Sequence, residues 1–242
     1  MGREKVAREY LENEIRYDAE HWDHFHYLRT VALPILEALQ AFGPLLHGSI
    51  ARGDTSKNSD IDVIIPNQIT EFQIVVPLSV LRYEPMERWI VQATPLAAVK
   101  GLLIFSATPP FSVTFPLIPF YPREHEFYSF GGAVGFADLK QDLQIRVPGV
   151  SKKLLFIEPT ETGHNEYRIT PENAMLIAKH LNIGVDTILE RIRVLERRDK
   201  VGRTGIFKKR LLTPDESFGG VLKEISETNP ASRRRITRKK VN

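Results

Sequence analysis

Cysteine is absent from this chain of 242 residues. Without it there can be no disulfide framework, no cysteine nucleophile and no metal site built from thiolates. Any metal binding or acid–base chemistry is therefore left to carboxylate and imidazole side chains.

Long apolar runs are absent as well. No stretch approaches the roughly 20 apolar residues that a membrane-spanning helix needs. The N-terminal sequence MGREKVAREYLENE is charged where a signal peptide would be apolar. We therefore expect a cytoplasmic protein with no membrane partner, and the content of 42% hydrophobic and 26% charged residues is typical of a globular chain.

Charged residues are unevenly distributed along the chain. Residues 1–150 hold 13 basic and 18 acidic residues, whereas residues 151–231 hold 14 and 12. The last eleven residues, SRRRITRKKVN, add six basic groups and no acidic one. An acidic front half suits a metal site, and a basic back half suits a polyanion.

The hydrophobic pattern predicts an α+β protein. Apolar residues three and four apart predict helix throughout residues 3–42, and strand-like runs follow at 45–46 and 61–65. Residues 72–81 are predicted as strand and 86–105 as helix. Residues 111–121 are predicted as an edge strand because they contain Pro116 and Pro119. The glycines of 130–135, FGGAVG, are predicted to make tight turns, with contact to a ligand as the open alternative.

Two carboxylates are placed side by side by their spacing. Asp60 and Asp62 are two residues apart in a strand-like run, so they share one face while Ile61 and Val63 point into the core. Hard oxygen ligands arranged in this way suit Mg²⁺. The pattern therefore predicts a metal site that serves phosphoryl or nucleotidyl transfer.

A turn suited to phosphate precedes these acids. Gly48 and Ser49 follow the short apolar strand, and glycine lets backbone N–H groups approach a triphosphate closely. Arg52 adds a cation near the same place. The neighbouring His47 is predicted either to approach the substrate or to be a neutral histidine at the strand end.

The segment LLHGSIARGDTSKNSDIDVII resembles the signature of the DNA polymerase beta nucleotidyltransferase superfamily. The residues that match this signature are Gly48, Ser49, Ala51, Arg52, Gly53, Ser59, Asp60 and Asp62. The resemblance implies a mixed sheet flanked by helices, and it implies an enzyme that binds a nucleoside triphosphate. It assigns nucleotide binding to Gly48, Ser49, Arg52 and Ser59, and it assigns Mg²⁺ or Mn²⁺ to Asp60 and Asp62.

The expected third carboxylate of that family is not obvious. The family supplies it from a later neighbouring strand, but the run FSVTFPLIPF contains no acid and has Thr114 where one is expected. Glu124 and Asp138 lie in the region that follows, and Glu126 is taken as the candidate third catalytic acid. If Glu126 does not reach the site, the protein binds nucleotide without efficient turnover.

The basic half resembles a winged helix-turn-helix over residues 171–212. Two helical patterns flank a short turn, and residues 201–213 are predicted as a two-stranded wing with Gly205 at its tip. We therefore expect a nucleotidyltransferase domain at 1–150, a small winged helix-turn-helix domain at 151–226 and a disordered basic tail at 227–242. Six residues are predicted to contact nucleic acid: Arg191, Arg193, Arg197, Arg203, Lys208 and Lys209.

Three functions compete at this point. The preferred one is a nucleotidyltransferase that moves a nucleoside monophosphate to a hydroxyl of RNA, protein or a small molecule. A DNA-binding regulator that uses a degenerate nucleotidyltransferase domain as a nucleotide sensor or dimerisation unit is the rival, and an antitoxin is the third. The sequence leaves open whether the chain forms a homodimer.

Overall fold

The computed structural model of this chain describes residues 6–7, 12–202 and 206–237. Within these ranges the chain forms helices and two β-sheets, a larger one of seven strands and a smaller one of four. The larger sheet contains both antiparallel and parallel pairs. The predicted α+β class with a mixed sheet is therefore confirmed. None of the helices in these ranges has the length and hydropathy of a membrane span.

Strands and helices are interspersed along the described ranges. The strands are β1 (Asn13–Arg16), β2 (Leu45–His47), β3 (Ile61–Ile64), β4 (Pro85–Gln92), β5 (Val99–Phe105), β6 (Phe111–Pro116), β7 (Ala133–Gly135), β8 (Gly149–Val150), β9 (Leu155–Thr160), β10 (Gly163–Arg168) and β11 (Lys208–Leu211). The helices are α1 (Ala19–Ala38), α2 (Ser49–Arg52), α3 (Phe72–Val80), α4 (Pro122–Gly131), α5 (Phe136–Gln141), α6 (Ala174–Leu181), α7 (Val185–Val201), α8 (Phe218–Thr228) and α9 (Pro230–Thr237).

Each sheet mixes strands that are distant in sequence. The larger sheet has the spatial order β11, β4, β5, β6, β3, β2, β7, and the smaller sheet has the order β1, β10, β9, β8. In the larger sheet β3 and β6 run parallel, whereas β2 is antiparallel to both β3 and β7. Strands from both ends of the chain therefore complete the two sheets.

The N-terminal region is not one continuous helix. β1 pairs with β10, and α1 begins after Asp18, whose carboxylate accepts a hydrogen bond from the backbone N–H of His21 at 2.8 Å. The prediction of helix over 3–42 is wrong at residues 13–16, because pairing with a distant strand overrides local helical preference. The predicted apolar stripe is confirmed, since Phe25 and Leu28 are fully buried. Residues 3–5 and 8–11 of the predicted helix lie outside the described ranges.

Two predictions for the middle of the chain are wrong. Residues 72–81, predicted as strand, contain α3, and residues 86–105, predicted as helix, contain the antiparallel strands β4 and β5. In β5 buried and partly exposed residues alternate, which is the period of a strand. β6 is not an edge strand, because it lies between β3 and β5 and Pro116 is its last residue.

Helices cover one face of the larger sheet. Val63, Val113 and Leu103, from β3, β6 and β5, are fully buried and belong to a hydrophobic cluster that includes residues of α1, α3 and α8. Because side chains alternate along a strand, Asp62 and Ser112 lie on the opposite face. We call this opposite side the open face.

The smaller sheet packs with α6 and α7. Phe156 of β9, Ile177 of α6 and Ile188 of α7 are fully buried in a second hydrophobic cluster. The predicted pair of helices separated by a short turn is present, whereas a winged helix-turn-helix is not shown. The first of these helices begins after Asn173, whose side chain accepts a hydrogen bond from the Thr170 N–H.

Among the residues that the structure describes, the C-terminal segment shows no two-stranded wing, and the predicted wing tip at Gly205 lies outside them. In the described ranges residues 208–211 form the single strand β11, which pairs with β4 at the edge of the larger sheet. Phe218, Val221 and Ile225 of α8 are buried in the same cluster as α1 and α3. The predicted disordered tail is in fact helical through Thr237, and residues 238–242 lie outside the described ranges. The domain boundaries at 150 and 226 stay a prediction.

Candidate active site

The predicted strand, turn and strand around the carboxylates are all present. β2 and β3 pair antiparallel, with Leu46 opposite Val63 and His47 opposite Asp62. Leu46 and Val63 are fully buried, which anchors both strands. α2 and the loop 53–60 connect β2 to β3, so the two halves of the sequence motif lie side by side at the end of the sheet.

Asp62 lies on the open face, and one of its two carboxylate oxygens accepts a hydrogen bond. Its Oδ1 accepts a hydrogen bond from Ser112 Oγ at 2.9 Å, and β6 places Ser112 directly beside it in parallel register. Burial raises the pKa of Asp62, the charge of Asp60 raises it further, and the Ser112 hydrogen bond and Lys152 act against this. The charge of Asp60 acts on Asp62 in this way because the two carboxylates lie near each other.

The Gly48–Ser49 turn has a backbone shape reserved for glycine. Gly48 has φ +81° and ψ −143°, and nothing lies within 4 Å of the position that a Cβ would take. The Gly48 N–H is already bonded to the carbonyl of Gly132 at 3.0 Å. The hydroxyls of Ser49 and Ser59 lie 3.4 Å apart. The structure therefore brings together three of the four residues predicted to bind nucleotide.

Arg52, the fourth of these residues, is turned inward. Its guanidinium is buried, donates to the carbonyl of Gly131, and pairs with Asp54 at 2.9 Å. A Cβ on Gly132 would lie only 2.7 Å from the Arg52 side chain, so this glycine permits close packing. The tight-turn prediction for the glycine segment is thus supported, and the phosphate contact of Arg52 stays a prediction.

A second buried arginine holds the turn from below. Arg29 of α1 is fully buried and donates to the carbonyls of Ile50, Ala51 and Ile145 at 2.7 to 3.2 Å. Burial lowers its pKa to about 10, which leaves it charged at neutral pH. Arg29 was not predicted as a site residue, because nothing in an apolar helical stripe signals a carbonyl-binding arginine.

Glu126 is held elsewhere. It lies on α4, where its carboxylate accepts a hydrogen bond from the Thr187 hydroxyl of α7, and a Cβ on Gly184 would lie 3.4 Å from it. Glu124 is occupied by Arg235 and by the Ala98 N–H. No cluster of three His, Asp or Glu side chains that could hold a metal ion occurs in the described ranges. At the position beside Asp62 the strand supplies Ser112, not an acid.

Cations gather around His47, next to the carboxylates. Burial lowers the pKa of His47 to about 4, and Arg52, Lys100 and Lys152 lower it further. His47 is therefore neutral at neutral pH, which agrees with one of its two predicted roles. Lys152, from the turn before β9, also acts on Asp62. No local pattern in the sequence indicates that a residue 90 positions later reaches this site.

The residues predicted to contact nucleic acid are dispersed. The Arg191 guanidinium lies 4.9 Å from the Phe127 ring centroid and 6.0 Å from that of Phe130, and burial lowers its pKa. It packs between helices, and its predicted contact with nucleic acid stays a prediction. Two of these residues, Arg193 and Arg197, are exposed on α7, and two, Lys208 and Lys209, lie on β11. Arg203 lies outside the described ranges.

Comparison with known proteins does not show a family for this chain. No protein-family model matches the sequence, and no curated protein matches it. A solved structure described as "Structural Basis for the Activity of a Cytoplasmic RNA Terminal U-transferase" is similar over 41% of this chain and 29% of that chain, with 20% identity and a TM-score of 0.26.

Proposed function

We propose that this protein is a nucleotidyltransferase that uses Mg²⁺ or Mn²⁺. It would move a nucleoside monophosphate from a nucleoside triphosphate to a hydroxyl acceptor and release pyrophosphate. The observation that carries the proposal is the adjacent pair Asp60 and Asp62 on the open face, next to the Gly48–Ser49 turn. The resemblance of this segment to the polymerase beta signature supports it.

The two carboxylates fit a hard divalent cation. Mg²⁺ in nucleotide enzymes is commonly held by one or two carboxylates together with substrate phosphates, so two acids suffice for binding. Burial raises the pKa of Asp62 and the charge of Asp60 raises it further, and a bound cation would favour the ionised form. When bound, such an ion neutralises phosphate oxygens and lowers the pKa of the attacking hydroxyl.

The remaining residues would act through position and charge. The backbone at Gly48 is open to an approaching phosphate, and the Ser49 hydroxyl can donate to one of its oxygens. The acceptor oxygen then forms a bond to the α-phosphorus, and the bond from that phosphorus to the bridging oxygen breaks. Pyrophosphate leaves, and the hydroxyl proton passes to water. Arg29 holds the turn in place from the buried side.

Labelling with a triphosphate tests this proposal. Purified protein is incubated with each α-³²P nucleoside triphosphate, Mg²⁺ or Mn²⁺, and total RNA or protein. The double variant Asp60→Asn, Asp62→Asn is expected to abolish metal-dependent labelling while the circular dichroism spectrum is kept. The exposed Asp215→Asn serves as the control and is expected to label normally. Equal labelling by the double variant and the control would refute the proposal.

A second candidate is a nucleotide sensor without turnover. It is favoured by Ser112 at the position beside Asp62 and by the engagement of Glu126 with Thr187. As a regulator or antitoxin, the protein would bind nucleotide and metal and release no pyrophosphate. Calorimetric titration with each triphosphate and Mg²⁺, combined with pyrophosphate detection, separates the two: heat without pyrophosphate favours the sensor.

A further inference from the structure

The open face extends well beyond Asp62. Strand register places Asp62 beside Ser112, Ser112 beside Ile104 and Ile104 beside Glu87. The next row along the same face runs from Thr114 of β6 through Leu102 and Trp89 to Leu211 at the β11 edge. Because strands lie about 4.8 Å apart, the strand of Trp89 is about 15 Å from that of Asp62.

Packing leaves part of this face uncovered. Neighbours on the other face, Leu103 and Ile90, are buried beneath helices. Leu102, Ile104 and Trp89 are only half-buried, and they join neither hydrophobic cluster of the described ranges. α4 covers the region near His47 and Lys100 through Tyr128. The uncovered part therefore begins at the carboxylates and leads toward β11.

The far end of this face combines a fixed aromatic ring with a cation. The Trp89 indole N–H donates to Glu87 at 2.7 Å, and Lys209 Nζ lies 4.3 Å from the indole centroid. The Phe207 N–H donates a hydrogen bond to the Ala93 carbonyl at 3.2 Å, which continues the pairing of β11 with β4. Because side chains alternate along a strand, Phe207 lies on the same side of β11 as Lys209. Phe207 is 40% exposed and Leu211 is 49% exposed.

The charged residues of this face indicate which kind of ligand it binds. On the opposite side of β11, Arg210 is paired with Glu216 and Glu224, whereas Lys209 forms no ion pair with a described acid. Lys152 supplies a second cation at the other end, near Asp62. A polyanion complements both cations. Aromatic rings with spaced cations are the features that bind single strands.

We propose that the open face binds the acceptor, a single-stranded nucleic acid, with a base stacked on Trp89 and a phosphate at Lys209. The inference rests on the proposed function, since the 3′ hydroxyl of that strand would reach the Asp60–Asp62 pair. Stacked nucleotides rise about 3.4 Å each along a strand. The distance of about 15 Å between the two strands of the sheet therefore corresponds to about four nucleotides.

Binding is measured without metal or triphosphate, so that its failure differs from failure of the transfer reaction. The probes are fluorescein-labelled 12-nucleotide RNA, DNA of the same sequence, and the corresponding RNA duplex, followed by anisotropy with the full chain. Both single strands are expected to bind, and the duplex is expected to bind more weakly. A preference between RNA and DNA identifies the acceptor.

Substitutions then locate the contact. Trp89→Ala is expected to weaken single-strand binding about tenfold, and Lys209→Ala is expected to reduce the slope of log affinity against log salt by about 0.7. The matched controls are Phe72→Ala, an exposed aromatic on α3, and Lys223→Ala, an exposed lysine on α8. Lys209 is on an exposed edge, so its substitution tests the idea even if Trp89→Ala disturbs folding.

Three outcomes would overturn the inference. The first is unchanged affinity and salt slope in Trp89→Ala and Lys209→Ala. The second is equal weakening by the controls. The third is a sedimentation shift to monomer in Trp89→Ala from a dimeric wild type, which would mean that a second copy covers this face. Quenching of Trp89 fluorescence by RNA in a Trp22→Phe background is the supporting result.

Discussion

Replacing His47 by glutamine is expected to flatten the acid dependence of stability. Burial, with the charges of Arg52, Lys100 and Lys152, lowers the pKa of His47 from 6.5 to about 4. Between these values the unfolded chain binds the proton and the folded chain does not, so stability falls as the pH falls through this window. One pKa unit corresponds to about 1.4 kcal/mol, and the loss due to His47 is therefore about 3 kcal/mol by pH 4.

Urea denaturation of wild type and His47→Gln at several pH values between about 7 and 4 measures this loss. Burial also lowers the pKa of His164, so both proteins lose some stability over the same range. The difference in the free energy of unfolding between the wild type and His47→Gln isolates the contribution of His47. As the solution becomes acidic, this difference is expected to change by about 3 kcal/mol in favour of His47→Gln. Parallel curves for the two proteins would show that His47 is not buried as a neutral group.

Three further substitutions test the backbone support of the site, the packing of the sheet and the binding of a metal ion. Arg29→Met leaves the carbonyls of Ile50, Ala51 and Ile145 without a donor, and we expect urea denaturation to show a loss of at least about 2 kcal/mol. Gly101→Ala places a Cβ 2.4 Å from the buried Phe115 ring, which is expected to lower stability by about 1 to 3 kcal/mol by the same method. Ser112→Asp puts a third acid beside Asp62 and is expected to tighten Mn²⁺ binding in calorimetry, whereas Ser112→Asn is not.

The motif could be predicted because its information is local. Asp60, Asp62 and the Gly48–Ser49 turn lie within 15 residues, and a period of two is enough to place both acids on one face. Apolar residues on both sides fix which strands are buried. The fold class and the helix pair at 174–201 followed from the same kind of local pattern.

The parts of the fold and of the site that were not predicted depend on pairing between strands that are distant in sequence. Ser112 meets Asp62 only because β6 runs parallel to β3, and no local pattern encodes that register. α3 is apolar on nearly every side and contains Pro77, so its sequence lacks a clear helical period. Residues 208–211 have a strand pattern in either arrangement, and only tertiary pairing decides between a wing and an edge strand of the larger sheet.

The carboxylate pair should make the free protein less stable than it could be. The pKa of Asp62 is raised by burial and by Asp60, so its ionised form is disfavoured in the folded state, and the stability linked to this group is lost as the pH rises through that pKa. Asp62→Asn keeps an oxygen for Ser112 and removes the charge, so we expect its thermal midpoint to exceed that of the wild type at pH 7 and to match it near pH 3. Adding Mg²⁺ with a triphosphate should reverse the order, because a ligand stabilises only the protein that binds it. A wild type more stable than Asp62→Asn at neutral pH without ligand would mean that burial and the charge of Asp60 do not disfavour the ionised form of Asp62, and the metal assignment would lose its physical basis.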